Sequence, residues 1–132
     1  MNKELYQSIL KTIELNNISL YKISSLVEHK LLSENMVVSI EEDASYSYEN
    51  KIMNVTNQYS LFAKNKDNDV VFKIESTFLL NFSASVDIDD SFFDIYKQTS
   101  LPLNVWPYFR ELVNNISSRM NIPPITLPLM KR

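Results

Sequence analysis

The 132-residue chain contains no glycine and no cysteine, and it holds a single histidine. Each absence excludes something. Without glycine, P-loops and dinucleotide-binding turns cannot be built in their usual form. Tight turns fall instead to Asn and Asp, which tolerate left-handed backbone better than other residues. Without cysteine there are no disulfides and no thiolate chemistry, and a zinc ion lacks most of its common ligands. His29 has no partner base or ligand set beside it in sequence, and it reads as a surface or strand residue at the end of a segment. No run of Lys or Arg occurs and the net charge is −3, so no nucleic-acid groove is expected. The opening residues MNKELYQSIL lack the apolar core of a signal peptide, and no segment is apolar for long enough to span a bilayer. The expectation is a cytoplasmic protein without membrane insertion. No convergent set of catalytic groups is visible, so no enzyme, metal or cofactor is expected.

What is present is ordinary for one soluble domain: 45% hydrophobic and 22% charged residues. Residues 2–15 predict a helix, with Leu5, Ile9 and Ile13 four apart, Tyr6 and Leu10 beside them, and Asn16 and Asn17 to end it. From Ile18 to Lys30 the chain is rich in β-branched residues and predicts a strand, although its alternation is ragged. LLSEN, residues 31–35, reads as a connection. A second strand places Met36, Val38, Ile40, Ala44, Tyr46 and Tyr48 on one side, interrupted by Glu42, which marks a bulge or an edge. Met53, Val55, Tyr59, Leu61 and Ala63 form a third alternating set. After the turn KNKDND, a fourth strand alternates from Val70 to Ala84. Short connections imply an antiparallel meander.

Two helical segments follow. In DIDDSFFDIYKQTS, Asp89, Asp90 or Ser91 caps a short helix whose Phe92, Phe93 and Tyr96 form an adhesive face. The cluster Asp87, Asp89 and Asp90 lacks the spacing of a calcium loop and reads as helix capping. In LNVWPYFRELVNNISSRMNIPP, Asn104 as N-cap puts Pro107 in the first turn, where its missing N–H has no intrahelical partner. Val105, Phe109, Leu112, Val113, Ile116 and Met120 then make one stripe. Asn121 can close the helix, and Pro123 and Pro124 stop it.

The order LPLNVWPYFRELVNNISSRMNIPPITLPL resembles the C-terminal signature of the SecB family of protein-export chaperones. That signature reads approximately P-N-x-L-F-P-Y-A-R-E, then a helix, then S-R-G-x-F-P-x-x-x-L-x-P. Pro102, Trp106 in place of Phe, Pro107, Tyr108, Arg110, Glu111, Ser118, Arg119, Ile122 in place of Phe, Pro123 and Leu127 match in register. Met120 stands where the family has glycine. The family's second helix and SecA-docking tail have no counterpart before Arg132, and Lys73 and Glu75 alter the sheet face that meets SecA in the family.

The resemblance implies an α+β fold: a four-stranded antiparallel meander sheet followed by a long C-terminal helix, here with an extra N-terminal helix. One domain, residues 1–132, divides into the N-terminal helix (1–17), the sheet (18–86), the helical part (87–121) and an extended tail (122–132). It also implies ATP-independent binding of a non-native polypeptide client, a preprotein or an antitoxin, with SecA a possible partner. First strands pair between twins, giving a homo-oligomer, tetramer or dimer. Candidate client-binding residues are Leu20, Ile23, Met36, Val38, Phe92, Phe93 and Tyr96. Candidate interface residues are Val105, Phe109, Leu112, Val113 and Ile116. Tyr108 and Arg110 are expected to be structural. The residues of the N-terminal helix are expected either beside the first two strands, near Leu20, Ile23, Met36 and Val38, walling the client groove, or as a frayed N-terminal tail. The alternative is a structural module of a larger assembly that binds no client.

Overall fold

The computed structural model describes residues 1–122. It contains α1 (Lys3–Leu10), β1 (Ile13–Val27), a short 3-10 turn (His29–Leu31), β2 (Val37–Glu49), β3 (Ile52–Lys64), β4 (Val70–Ala84), α2 (Asp90–Thr99) and α3 (Leu101–Arg119). The α+β class, with one four-stranded antiparallel sheet and a long C-terminal helix, is as expected. The tail expected over 122–132 lies outside the described residues but for Ile122.

The strand order is β1-β4-β3-β2. The meander is therefore confined to β2, β3 and β4, and residues 28–36 carry the chain from one edge of the sheet to the other. The reason lies in β4. Every second residue from Phe72 to Ala84 is buried, so β4 needs a neighbour on each side. At an edge it would leave a long apolar strand open for aggregation. The crossover is pinned twice. The Glu28 N–H donates to the Val71 carbonyl at 2.7 Å, and His29 Nε2 donates to the Met120 carbonyl, also at 2.7 Å.

β1 begins at Ile13 rather than near residue 18, and α1 ends at Leu10 rather than near 15. Ile13 pairs with Ala84 in the sheet, a place more favourable to a β-branched side chain than one further helical turn. Asn2 caps α1 by accepting from the Leu5 N–H at 2.7 Å. The ragged alternation of β1 also has a cause. Register shifts fall between Leu15 and Asn17 and between Leu20 and Lys22. Each extra residue reverses the parity, so Ile13, Leu15, Ile18, Leu20, Ile23 and Val27 all pair with helix-facing residues of β4. Pairing of β2 with β3 is unbroken, so the bulge or edge expected at Glu42 is an edge.

The glycine-free turns are built as the composition requires. Asn50, Asn68 and Asn121 adopt φ of 51°, 66° and 59°. Lys51, at 66°, is the costlier case, at about 1–2 kcal/mol for a side chain without a local hydrogen-bonding role. Asn50 and Lys51 alone join β2 to β3, a two-residue loop whose positive φ values match the twist of a hairpin.

α3 starts at Leu101, so Asn104 is not its N-cap. Only Ser100 separates it from α2. Leu101 and Pro102 are buried, and Pro102 takes the first-turn position expected of Pro107. Pro107 lies a turn further in, on the exposed side. There the carbonyl of Leu103 loses its helical partner where water can replace it. Asn104 instead donates through Nδ2 to the Tyr96 hydroxyl at 2.7 Å, which fixes the α2–α3 corner. At the other end, Asn121 closes α3 in the left-handed conformation, as expected.

Candidate functional site

The helices cover less than the sheet they pack on. α3 lies over the central strands. Phe109 stacks on Tyr59 of β3 at 4.6 Å between ring centroids, and Trp106 meets the same ring edge-on at 5.8 Å. Beside them Phe92, Phe93 and Tyr96 of α2 fill the space between the helices and the strands, with Phe93 against Tyr46 at 4.4 Å and Tyr96 against Phe82 at 5.7 Å. Burial raises the pKa of the Tyr96 hydroxyl above its usual value, against the opposing effect of the bond from Asn104.

Phe92, Phe93 and Tyr96 are therefore core residues, 0–4% exposed. They offer no surface to a client, contrary to the sequence expectation, because the apolar face of α2 is used up on its own sheet. Val105, Phe109 and Val113 are likewise fully buried within one subunit, while Leu112 and Ile116 are partly buried. Only the last two of the expected interface stripe retain side-chain surface.

What remains open is the two margins of the helix-facing side. Along β1, Leu15, Leu20 and Ile23 are exposed; along β2, Val38 and Ile40 are exposed and Met36 is partly so. Leu20 at 44% and Val38 at 46% exposure are unusual for aliphatic side chains on the packed face of a sheet. The expected set Leu20, Ile23, Met36 and Val38 is thus accessible, but it is not one groove. β4 and β3 lie between the two pairs, a separation of roughly 14 Å at the usual strand spacing. The β1 margin deepens beneath α3 into a cavity of about 240 Å³, where Ile18 and Leu20 face Tyr108 and Leu112 with Phe78 below. Tyr108 is half exposed there, its ring 6.3 Å from that of Phe78.

Sequence reasoning missed Leu15, Ile40 and Tyr108, and it misplaced α1. That helix does not lie beside β1 and β2. It packs on α2 through Tyr6, which is buried, stacks on Phe92 at 5.1 Å and shares hydrogen bonds with Thr99 Oγ1 and Ser100 Oγ at 3.1 and 3.0 Å. The signal was available: Tyr6, Ile9, Leu10 and Ile13 follow an i, i+3, i+4, i+7 pattern as well as the Leu5 stripe does.

The acidic cluster has structural work. Asp89 caps α2 by accepting from the Phe92 N–H at 2.9 Å. Tyr46 donates to Asp90 at 2.7 Å and Tyr48 to Asp87 at 3.4 Å, tying β2 to this loop. Among the described residues no group of three His, Cys, Asp or Glu side chains is placed to hold a metal ion. Nor is any helix among them long and apolar enough to cross a membrane. The opposite face of the sheet is mixed: Leu26 and Val37 are exposed apolar side chains at its two edges, and polar groups hold its middle. Asn16 donates to Asn81 and Ser83, Asn81 donates on to Asn54, and Lys73 pairs with Glu75 at 3.2 Å.

No protein-family model and no curated protein sequence matches the chain. Solved structures do. The SecB-like chaperone Rv1957 of Mycobacterium tuberculosis, in complex with a ChAD peptide from the Rv1956 HigA1 antitoxin, superposes with a TM-score of 0.82 at 16% identity. The match covers 98% of this chain and 99% of that one. The fold is SecB-like. At this identity the likeness establishes architecture, not activity. So complete a coverage nevertheless brings α1 within the shared SecB-like architecture. A protein of unknown function from Streptococcus agalactiae is more distant, with a TM-score of 0.56 at 9% identity over 89% of this chain and 97% of that one.

Proposed function

We propose that the protein is an ATP-independent chaperone that binds a non-native polypeptide, with its client held on the two apolar margins of the helix-facing sheet. The observation that carries this reading is the exposure of Leu20, Ile23, Val38 and Ile40 beside a fully packed core. A soluble domain that buries Tyr59, Phe82 and Phe109 completely has no packing reason to leave these four in water. Exposed apolar strips of this kind mark a binding face. Separate strips suit an extended segment that crosses or wraps the subunit, and aliphatic side chains suit clients of varied sequence.

A specialised client, such as an antitoxin, fits better than preprotein delivery. The SecB-like neighbour was solved with an antitoxin peptide. On the open face, Lys73 neutralises Glu75, which weakens the acidic surface that the family resemblance assigns to SecA. The protein works in the cytoplasm without a cofactor and assembles as a homo-oligomer through the free edge of β1, as dimer or tetramer. The test is co-purification from the native host under mild conditions, with the bound protein identified. One aggregation-prone protein recovered in near-stoichiometric amount supports a dedicated client. Many preproteins recovered together would assign the chain to export instead.

A further inference from the structure

A second cavity lies away from both margins, between α1 and the α2–α3 corner, with a volume of about 520 Å³. Leu10 on one side and Ile95 and Leu103 on the other give it aliphatic walls, and Lys3 and Gln7 reach it from α1. We infer that this cavity binds an aliphatic carboxylate, a hydrocarbon chain ending in one anionic head.

Its size falls within the range of small-molecule sites, roughly 300–1,000 Å³, and clefts between helices are a common place for them. Lys3 carries the only charged side chain of the lining, with the backbone ammonium of Met1 at the same rim. It has no ion pair among the described residues, whose salt bridges join Lys73 to Glu75 and Lys97 to Asp94. Glu4 does not compensate, because adjacent residues of a helix point in different directions. Gln7 lies one turn after Lys3 on the same face, so an ammonium and an amide stand together at the edge of an apolar chamber. In a chain of net charge −3 this is a local cation without a partner, and an anionic head group complements it.

The remaining polar groups argue against a peptide here. The Thr99 and Ser100 hydroxyls are already engaged with Tyr6. At the α2–α3 corner the Ser100 N–H already donates to the Tyr96 carbonyl and the Leu103 N–H to the Ser100 carbonyl. A peptide entering the chamber would find no partners for its amides, whereas a hydrocarbon chain has none to satisfy. A bound chain would touch α1 on one side and α2 and α3 on the other, tightening a helix now held through Tyr6.

The test is an NMR titration of the whole protein with sodium decanoate below its micelle concentration, following the methyl groups of Leu10, Ile95 and Leu103. Saturable shifts at these three are expected, with slower amide exchange across α1. Lys3→Gln, an exposed position, is expected to weaken decanoate about tenfold, the effect of losing one charge-assisted contact, and to leave decanol binding unchanged. Unsaturable shifts, equal affinity of wild type and Lys3→Gln for decanoate, or shifts first appearing at Leu20 and Val38 would each overturn the inference. Because the site is separate from the margins, decanoate binding is unaffected by substitutions that abolish client capture.

Discussion

His29 Nε2 and the carbonyl oxygen of Met120 are 2.7 Å apart, joining the crossover after β1 to the end of α3 across 91 residues of sequence. The carbonyl lies where α3 has no further N–H of its own to offer, so the imidazole replaces a missing helical partner. His29→Ala is expected to lower stability by about 1 kcal/mol and to speed amide exchange at residues 29–32. Urea unfolding and hydrogen exchange check both. An unchanged crossover would mean that the Glu28–Val71 bond alone holds it.

Tyr6 makes the principal attachment of α1. Tyr6→Ala removes its stacking on Phe92 and both hydroxyl contacts. An eight-residue helix is marginal alone. Exchange protection over residues 3–10 is therefore expected to vanish while β3, β4 and α3 stay protected. A global loss of about 3–5 kcal/mol, as for a central core aromatic, would show instead that α1 belongs to the main cooperative unit.

Tyr46 supplies a pH dependence. Partial burial, then the bond to Asp90 and the repulsion of nearby Asp carboxylates, push its pKa up to about 12 from 10.0. The folded state holds this proton more tightly than the unfolded state. The resulting stability is complete below about pH 10 and is lost as the pH rises through about 12. Buried Tyr96 acts in the same direction. In Tyr46→Phe, the urea midpoint is expected to fall less steeply over this interval than in wild type. Parallel curves would remove Tyr46 from the account.

The parts of this fold legible in the sequence were those with one regular period. β4 runs from Val70 to Ala84 as its alternation indicates, and Asn121 closes α3 because the chain has no glycine to do so. β1 was blurred by two bulges, since each inserted residue hides the period-2 pattern from a linear reading. The strand order was not legible from loop lengths. It depends on β4 needing two neighbours, which is a property of the whole sheet. The site was half legible. Leu20, Ile23 and Val38 were identified as accessible, but the aromatic face of α2 looks the same in sequence whether it meets a client or its own core. Only the three-dimensional count of covering surface distinguishes the two.

The most direct test of the central claim is suppression of aggregation of a chemically denatured model protein, without nucleotide, by wild type and by the double variant Leu20→Ser with Val38→Ser. Both positions are a little over half covered, so each change is expected to lower folding stability by about 1 kcal/mol, checked by thermal melting. Wild type is expected to suppress aggregation at a near-stoichiometric ratio, and the folded variant is expected to lose most of that activity. Equal suppression by the folded variant, or none by wild type, would contradict the account.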